Sequence, residues 1–219
     1  MIMNRTITVK GIGRASAKVD YVELSLTLEA LSEDYNKAMD IASAQIDEIN
    51  QAVYAIGFEK GSVKTTNFNV RTQYEQVQDK KGNYKREFVG YNVVHNLKLA
   101  FDFDSERLAE VLSVISKCVC HPRLSIDFTV KDATVINEEM LRTATANARR
   151  KAEILCEASG VTLGELVAID YNWGELDIYS PTSYNSCEDA MPLMRCKPID
   201  IEPEDIDVND TVTFVWAIN

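Results

Sequence analysis

The residues most suited to chemistry are two cysteines and a histidine within four positions, Cys118, Cys120 and His121. Two thiolates and an imidazole are typical zinc ligands, and Cys187 or Cys196 would complete a tetrahedral set. The usual zinc motif separates its cysteines by two or more residues, and the sequence has no second paired motif. We therefore expect no bound metal and no cofactor. A metal or redox-active thiol protein centred on this cluster stays open as an alternative.

Other candidate groups for catalysis are few. His95 falls on the apolar side of a strand, between Val93 and Leu97, where a hydrogen-bonded, half-buried histidine is more common than a general base. Gly11-Ile12-Gly13 precedes a strand instead of the helix that a phosphate loop needs, so we interpret it as a turn or bulge between strands. The nucleophile elbow, the P-loop and the zinc-protease helix motif are all absent. These observations predict no catalytic residues and a protein that is not an enzyme.

Composition narrows the classes of partner and compartment. A net charge of −11 and a pI near 4.7 disfavour nucleic acid, which requires a basic surface. The five cysteines are odd in number and irregularly spaced, as expected for reduced thiols. The first residues lack the apolar region of an export signal, and no run of apolar residues is long enough to span a bilayer. The sequence as written thus predicts a cytoplasmic protein without a transmembrane segment.

The periodicity of apolar residues predicts the elements that must position these groups. Strict alternation from Val22 to Ala30 predicts a half-buried strand, and helical spacing from Tyr35 to Ile56 predicts a helix that Gly57 ends. Two long strands, Val63 to Val77 and Arg86 to Phe101, follow and are joined by a polar hairpin turn.

The second half of the chain contributes two more helices. The predicted elements are a helix from Ser105 to Lys117, a strand from Leu124 to Val130, a helix from Ala133 to Ser159 closed by Gly160, a strand from Glu165 to Tyr171, one long loop from Asn172 to Asp210, and a strand from Thr211 to Ile218. The long helix should bury a stripe of Leu141, Ala144, Ala148, Ala152 and Leu155.

Hairpins combined with helical crossovers indicate an α+β fold, with a mixed, largely antiparallel sheet and helices packed on one side. We expect a single domain over residues 1–219, or two intimate subdomains over roughly 1–103 and 104–219. The core residues that we predict lie on the apolar faces of their elements: Leu26, Ile46, Phe68, Tyr91, Leu99 and Phe214.

The two long strands exceed what one small core requires, so we expect their hairpin to project beyond the sheet. Its outer part carries aromatic and apolar residues among polar ones, as many interfaces do. We predict a self-association surface formed by Tyr74, Val77, Tyr84 and Phe88. The opposing possibility is that the lysines and arginine of the hairpin keep it solvated and the protein monomeric.

Several short motifs follow one another along nearly the whole chain. They are Ile7-Thr8-Val9 with Gly11 and Gly13, Asp20 before an alternating strand, Gly57-Phe58, Thr65-Thr66 with Phe68, Gly90-Tyr91 with Asn96, the helix around Ala144, Ala148, Lys151 and Ala152 with its stop at Gly160, and Pro198-Ile199. In this order and spacing they resemble SIMPL-domain proteins, the YggE-like bacterial group. Val19 departs from the pattern, because a proline commonly precedes the aspartate in that family.

The resemblance implies a fold and a manner of acting, and it implies no catalytic residues. It points to mostly secreted or periplasmic bacterial proteins, loosely tied to stress responses, some of which form ring-like or channel-like homo-oligomers. A eukaryotic relative is a signalling partner of a kinase. We accordingly expect a non-enzymatic, self-associating binding or scaffold protein, a homo-oligomer with room for a protein or peptide partner. A module that binds a small molecule or a peptide is the other alternative.

Overall fold

Eight strands and three helices make up the described part of this computed structural model, which covers residues 5–78, 83–171, 178–185 and 201–219. In chain order they are β1 (Thr6–Ala17), β2 (Tyr21–Ser32), α1 (Tyr35–Ala55), β3 (Lys64–Gln78), β4 (Tyr84–Asp102), α2 (Ser105–Ile115), β5 (Arg123–Thr129), α3 (Thr134–Ser159), β6 (Leu163–Asp170), β7 (Tyr179–Asn185) and β8 (Ile206–Ile218). They form two sheets, ordered β1-β8-β6 and β3-β4-β2-β5-β7. The predicted α+β class is confirmed.

The chain divides into two compact units, each assembled from separate segments. The first unit comprises Met1–Val19, Thr129–Pro181 and Glu204–Asn219, and it holds α3 with the three-stranded sheet. The second comprises Asp20–Phe128 and Thr182–Pro203, and it holds α1, α2 and the long β3–β4 hairpin.

Small side chains set the packing of the first unit. Ala144, Ala148 and Ala152 of α3 are fully buried against a cluster from β1 and β8 that includes the predicted core residue Phe214. Leu155 was expected to extend this stripe, and that expectation is wrong, because its side chain is 49% exposed. Cys156 takes the place instead, since it follows Ala152 by four residues and so lies on the same helix face.

The two glycines near the N-terminus lie inside β1 and do not form the predicted turn. β1 pairs with β8 without interruption from Thr6 to Ala17. A β-carbon at Gly11 would lie 2.1 Å from the carbonyl oxygen of Ala144, and one at Gly13 would lie 2.4 Å from that of Met140. The glycines are therefore required for close approach of α3 to the strand, and not for a reversal of the chain.

Side chains of α3 also cover the outer edge of β1. The amide oxygen of Asn147 accepts a hydrogen bond from the Ile12 N–H at 3.0 Å, and the Thr143 hydroxyl accepts one from the Arg14 N–H at 2.9 Å. The ammonium of Lys151 donates to a β1 carbonyl at 3.0 Å. Backbone groups that would otherwise offer an open sheet edge are thus satisfied by the helix.

In the second unit, α1 packs against β2 and β4, beside the outermost strand β3. The predicted core residues Leu26 and Leu99 are fully buried, while Ile46 and Tyr91 are half-buried. Phe68 was predicted to lie in the core, and that prediction is wrong, because it is 44% exposed. Phe68 lies on the face of β3 that was predicted to be buried. β3 is the edge strand, however, and α1 packs on β2 and β4 instead.

Aspartate side chains cap the N-termini of α1 and α2. The Asp34 carboxylate caps α1 by accepting from the Lys37 N–H at 2.9 Å, and Gly57 ends the helix with φ +91°. The Asp104 carboxylate caps α2 by accepting from the Arg107 N–H at 2.7 Å.

The single long loop predicted from Asn172 to Asp210 is wrong for the described part of that range. β7 lies within it, and β8 begins at Ile206, five residues before the predicted Thr211. Ile206 is fully buried in a small apolar cluster with Ile136 and Ile178, so burial selects strand despite the acidic residues around it. Residues 172–177 and 186–200, with Cys187 and Cys196, lie outside the described residues.

Candidate functional site

A β-bulge organises the outer part of the β3–β4 hairpin. Thr72 is paired with Tyr91 and Tyr74 with Phe88, so β4 holds one residue more than β3 between these pairs. The extra residue is Val89, and it keeps Phe88 on the same side of the hairpin as Tyr91. If Val89 were paired like its neighbours, Phe88 and Tyr91 would point to opposite sides, because side chains alternate along a strand.

We call the side of the hairpin that carries Tyr74, Tyr84 and Phe88 the aromatic face. The rings of Tyr74 and Phe88 meet edge to face at 5.7 Å between centroids, and Phe88 meets Tyr91 at 5.4 Å. The guanidinium of Arg86 lies 4.9 Å from the centre of the Tyr74 ring. The row continues to Tyr35 at the first turn of α1, 5.5 Å from Tyr91. Exposed aromatic rings are thereby ordered against one another on one surface.

The structure brings together three of the four residues predicted to form the interface. Tyr74, Tyr84 and Phe88 share the aromatic face and are 46%, 71% and 41% exposed. Val77 is also exposed, but it is paired with Lys85 on the opposite face. The prediction grouped these four by their nearness in sequence, whereas alternation and the bulge decide which of them meet.

We call that opposite side of the hairpin the polar face. Arg71, Glu75 and Val77 of β3 lie on it, and Glu75 is directly opposite Glu87 of β4. Like charges directly opposite one another destabilise a strand pair. Arg71 and Glu75 are both exposed, and neither forms an ion pair with any residue in the described ranges. Sequence reasoning missed this pair; the signal was a cation and an anion four residues apart in a strand, which share one face.

The cysteine cluster lies in the turn after α2 and is anchored by a carboxylate that the sequence did not single out. Glu48 of α1 accepts a hydrogen bond from the Val119 N–H at 2.6 Å and another from the Cys120 N–H at 3.2 Å. The thiol of Cys118 is buried and donates to the Val114 carbonyl at 3.5 Å. Glu48 lies 71 positions from Val119, so no local pattern could have identified it.

This environment does not activate the thiols. Burial, followed by the negative charge of Glu48, raises the pKa of Cys120 to about 12 and also raises the pKa of Cys118. A reactive thiol needs the reverse shift, since the thiolate is the nucleophile and the metal ligand. Within the described ranges, no three histidine, cysteine or acidic side chains are grouped so as to hold a metal ion.

Replacing Glu48 with glutamine should make Cys120 more reactive. The substitution removes the negative charge and keeps an amide oxygen that can accept a hydrogen bond, so the pKa of Cys120 should fall and its thiolate fraction rise. We expect alkylation of Cys120 by iodoacetamide at pH 8, followed residue by residue by mass spectrometry, to be roughly threefold faster or more. Asp47→Asn, an exposed neighbour on α1, is the matched control. Equal rates in the two variants would contradict the assigned role of Glu48.

His95 is held by its neighbours in the second unit. Its Nε2 atom lies 2.8 Å from the Thr65 hydroxyl, and its ring meets that of Phe68 edge to face at 5.1 Å. Burial lowers the pKa of His95. The predicted hydrogen-bonded histidine is confirmed, and it is more deeply buried than expected, at 8% exposed. This arrangement fits a neutral imidazole that links the edge strand β3 to β4 through its hydrogen bond with Thr65.

Among the described residues, no helix has both the length and the apolar character needed to cross a bilayer. Two Brucella proteins resemble this chain, both called 26 kDa periplasmic immunogenic protein. The one from Brucella melitensis is 25% identical over 166 residues, covering 74% of this chain and 65% of that protein. The one from Brucella abortus strain S19 is 24% identical over the same length. This chain thus spans less than two thirds of these relatives. Its own cytoplasmic location stays a prediction, which their names do not support.

The sequence profile of one family matches nearly the whole chain. It covers residues 7–216 and is described as SIMPL, a protein of unknown function (DUF541). The match includes both compact units, from the second residue of β1 to Trp216 near the end of β8. The resemblance carried by the glycine, alanine and aromatic motifs is thereby confirmed, and this chain belongs to the SIMPL family.

Proposed function

We propose that this protein is a non-enzymatic binding or scaffold protein that self-associates through its β3–β4 hairpin. The observation that carries the proposal is the aromatic face, where Tyr74 and Phe88 pack edge to face yet are exposed, with the exposed Tyr84 on the same side. A row of preorganised rings loses little conformational freedom on binding, which favours an interface. The hairpin also ends a sheet, so it is accessible from its edge as well as from its faces.

The composition of the aromatic face fits an interface better than a solvated tip. Tyrosine, phenylalanine and arginine are the residues enriched at the centres of protein interfaces, and here Arg86 stacks on Tyr74. The guanidinium of Arg86 therefore contacts an aromatic ring, so its charge does not act only to solvate the hairpin. Neither thiol at the Glu48 turn supports a catalytic reading, because the pKa of Cys118 and that of Cys120 are both raised.

A peptide-binding module is the second candidate, and the open edge of β3 favours it. An extended peptide can add a strand to such an edge through backbone hydrogen bonds. That function needs the edge of β3 but does not need a second copy of the chain. The state of association in solution therefore separates the two candidates.

Sedimentation velocity of the purified protein at micromolar concentration tests the proposal. We expect the wild type to sediment as an oligomer, and Tyr74→Ser/Phe88→Ser to weaken association by roughly tenfold or more, because truncating central aromatic residues removes much of an interface. Deleting Gln78 to Lys85 should have at least the same effect. Tyr54→Ser, an exposed tyrosine on α1, is the matched control and should leave association unchanged.

A wild-type monomer at that concentration would end the proposal and promote the peptide-binding module. An oligomer that survives both the double substitution and the deletion would move the interface away from the hairpin. Circular dichroism of each variant confirms that the fold is kept.

A further inference from the structure

We infer that two copies join edge to edge through β3, antiparallel and centred on Gln73, so that Arg71 of each copy lies opposite Glu75 of the other. This inference rests on the proposed self-association and specifies its geometry. The five-stranded sheet of one copy would then continue into that of the second copy.

β3 is open to such pairing along most of its length. It is the terminal strand of its sheet, and no strand within the described residues pairs with its outer side. One irregularity in β3 itself occurs early, between Thr65 and Asn67, and the later bulge adds its residue to β4. From Asn67 to Gln78 the strand therefore runs without an extra residue and without proline. β1 offers a contrast, because side chains of α3 occupy its outer edge.

The charges on the polar face select the register. When two identical strands pair antiparallel about Gln73, residues equally distant from it on either side face each other. Arg71 and Glu75 are each two residues from Gln73, so the pairing forms two ion pairs at once. Each arginine also approaches the Glu75–Glu87 pair, where two carboxylates lie opposite each other. A cation at that place relieves a repulsion that the single copy leaves in place.

Neighbouring registers lack this complementarity. Centring the pair on Arg71 would oppose two guanidinium groups, and centring it on Glu75 would oppose two carboxylates, both of which are unfavourable. Centring it on Thr72 or Tyr74 leaves every charge of the strand without an opposite partner. The register about Gln73 is therefore the one in which the charges of β3 complement those of a second β3.

The same register joins the two aromatic faces. Thr72 of one copy lies opposite Tyr74 of the other, which makes the two Tyr74 residues diagonal neighbours. Diagonal neighbours on one face are about 7–8 Å apart, within reach of aromatic side chains. Since Tyr74 already contacts Phe88, a row of four rings would run across the junction. Edge pairing thus uses the aromatic face and the polar face together.

Charge reversal tests the register through association in solution. Arg71→Glu and Glu75→Arg, each alone, should weaken dimer formation by about tenfold or more, because each creates two like-charged pairs. The double variant Arg71→Glu/Glu75→Arg restores opposite charges and should return the dissociation constant to within about threefold of the wild type. Lys64→Glu is the matched control, since it reverses a charge on β3 outside the paired segment. Sedimentation equilibrium measures all four.

Disulfide trapping tests the same register by distance. Gln73→Cys places two thiols opposite each other, and oxidised glutathione should convert them to an intermolecular disulfide while it is reduced to two thiols. Asn69→Cys lies on the same face, but its two copies would be about 27 Å apart, eight residues along the strand, so it should not cross-link. The wild type, with its own five cysteines, gives the background on a non-reducing gel.

The outcomes separate this inference from the function on which it rests. If the wild type is monomeric, both fail. If Tyr74→Ser/Phe88→Ser breaks an oligomer that the charge reversals leave intact, and Gln73→Cys does not cross-link above background, the register is wrong and the hairpin interface stands. Loss of association in both single charge variants without rescue in the double variant also overturns the register.

Discussion

Replacing Gly11 with alanine should destabilise the first unit by about 3 kcal/mol or more, the upper range for overpacking a core. The new β-carbon would lie 2.1 Å from the Ala144 carbonyl oxygen and 2.8 Å from the Ala148 β-carbon. The first of these atoms belongs to the helix backbone, so no rotamer change can relieve the contact. Either α3 must move off β1 or the strand must leave its pairing with β8, and both expose the buried cluster around Phe214.

The measurement is the denaturant midpoint of unfolding, followed by tryptophan fluorescence because Trp216 lies in that cluster. Gly160→Ala is the matched control. Gly160 has φ +71° at the end of α3, and an added β-carbon meets nothing within 4 Å. Only the left-handed backbone is then penalised, by about 1 kcal/mol. Equal losses for the two variants would show that the helix does not lie as close to β1 as described.

Leu26→Ala should reduce the free energy of unfolding by about 2–5 kcal/mol, as for other cavity-forming substitutions in a packed core. Leu26 is fully buried on the apolar face of β2, opposite Leu97 of β4. Leu31→Ala on the same strand is the control, because Leu31 points to the other face and is 46% exposed. It should change stability by about 0.5 kcal/mol or less. A loss of less than half a kilocalorie for Leu26→Ala would mean that the strand faces are assigned in reverse.

Local periodicity was sufficient to predict the three helices and most of the strands, with β7 as the exception. The alternation in β2, the helical spacing in α1 and the glycine at the end of α3 each depend on residues only a few positions apart. The misassigned Gly11-Ile12-Gly13 depends on a helix more than a hundred residues later in the chain. Glycine within a strand and glycine within a turn look alike until that helix is placed.

Burial was harder to predict than secondary structure. Phe68 has the alternation of a core residue, but its exposure depends on the position of β3 at the edge of the sheet. Strand order is a property of the whole fold, and no residue near Phe68 encodes it. Ile206 and Val208 show the opposite error, because acidic neighbours led to the prediction of a loop where burial of these two side chains favours a strand.

The candidate site was predicted only in part, because its geometry also depends on contacts between distant segments. Aromatic residues near the hairpin tip indicated the correct surface, and three of the four residues do share one face. Their grouping with Val77 ignored alternation, and the carboxylate of Glu48 beneath the cysteine turn comes from a distant helix. Spacing within a segment could be read from the sequence, whereas contacts between segments could not.

The unpaired residue Val89 is a position at which the hairpin can lose a residue without losing its aromatic face. Every residue of β4 from Tyr84 to Phe88 is displaced by one position relative to the inner part of the strand. Removing Val89 would leave Gly90 paired with Gln73 and Phe88 paired with Tyr74 in an uninterrupted ladder, so Tyr84, Arg86 and Phe88 would stay on the side of Tyr74. Removing one residue between Tyr84 and Phe88 would instead place these two rings on opposite sides, because their spacing along the strand would change from four residues to three. A deletion of one residue should therefore be tolerated at Val89 and should divide the rings when it falls between Tyr84 and Phe88.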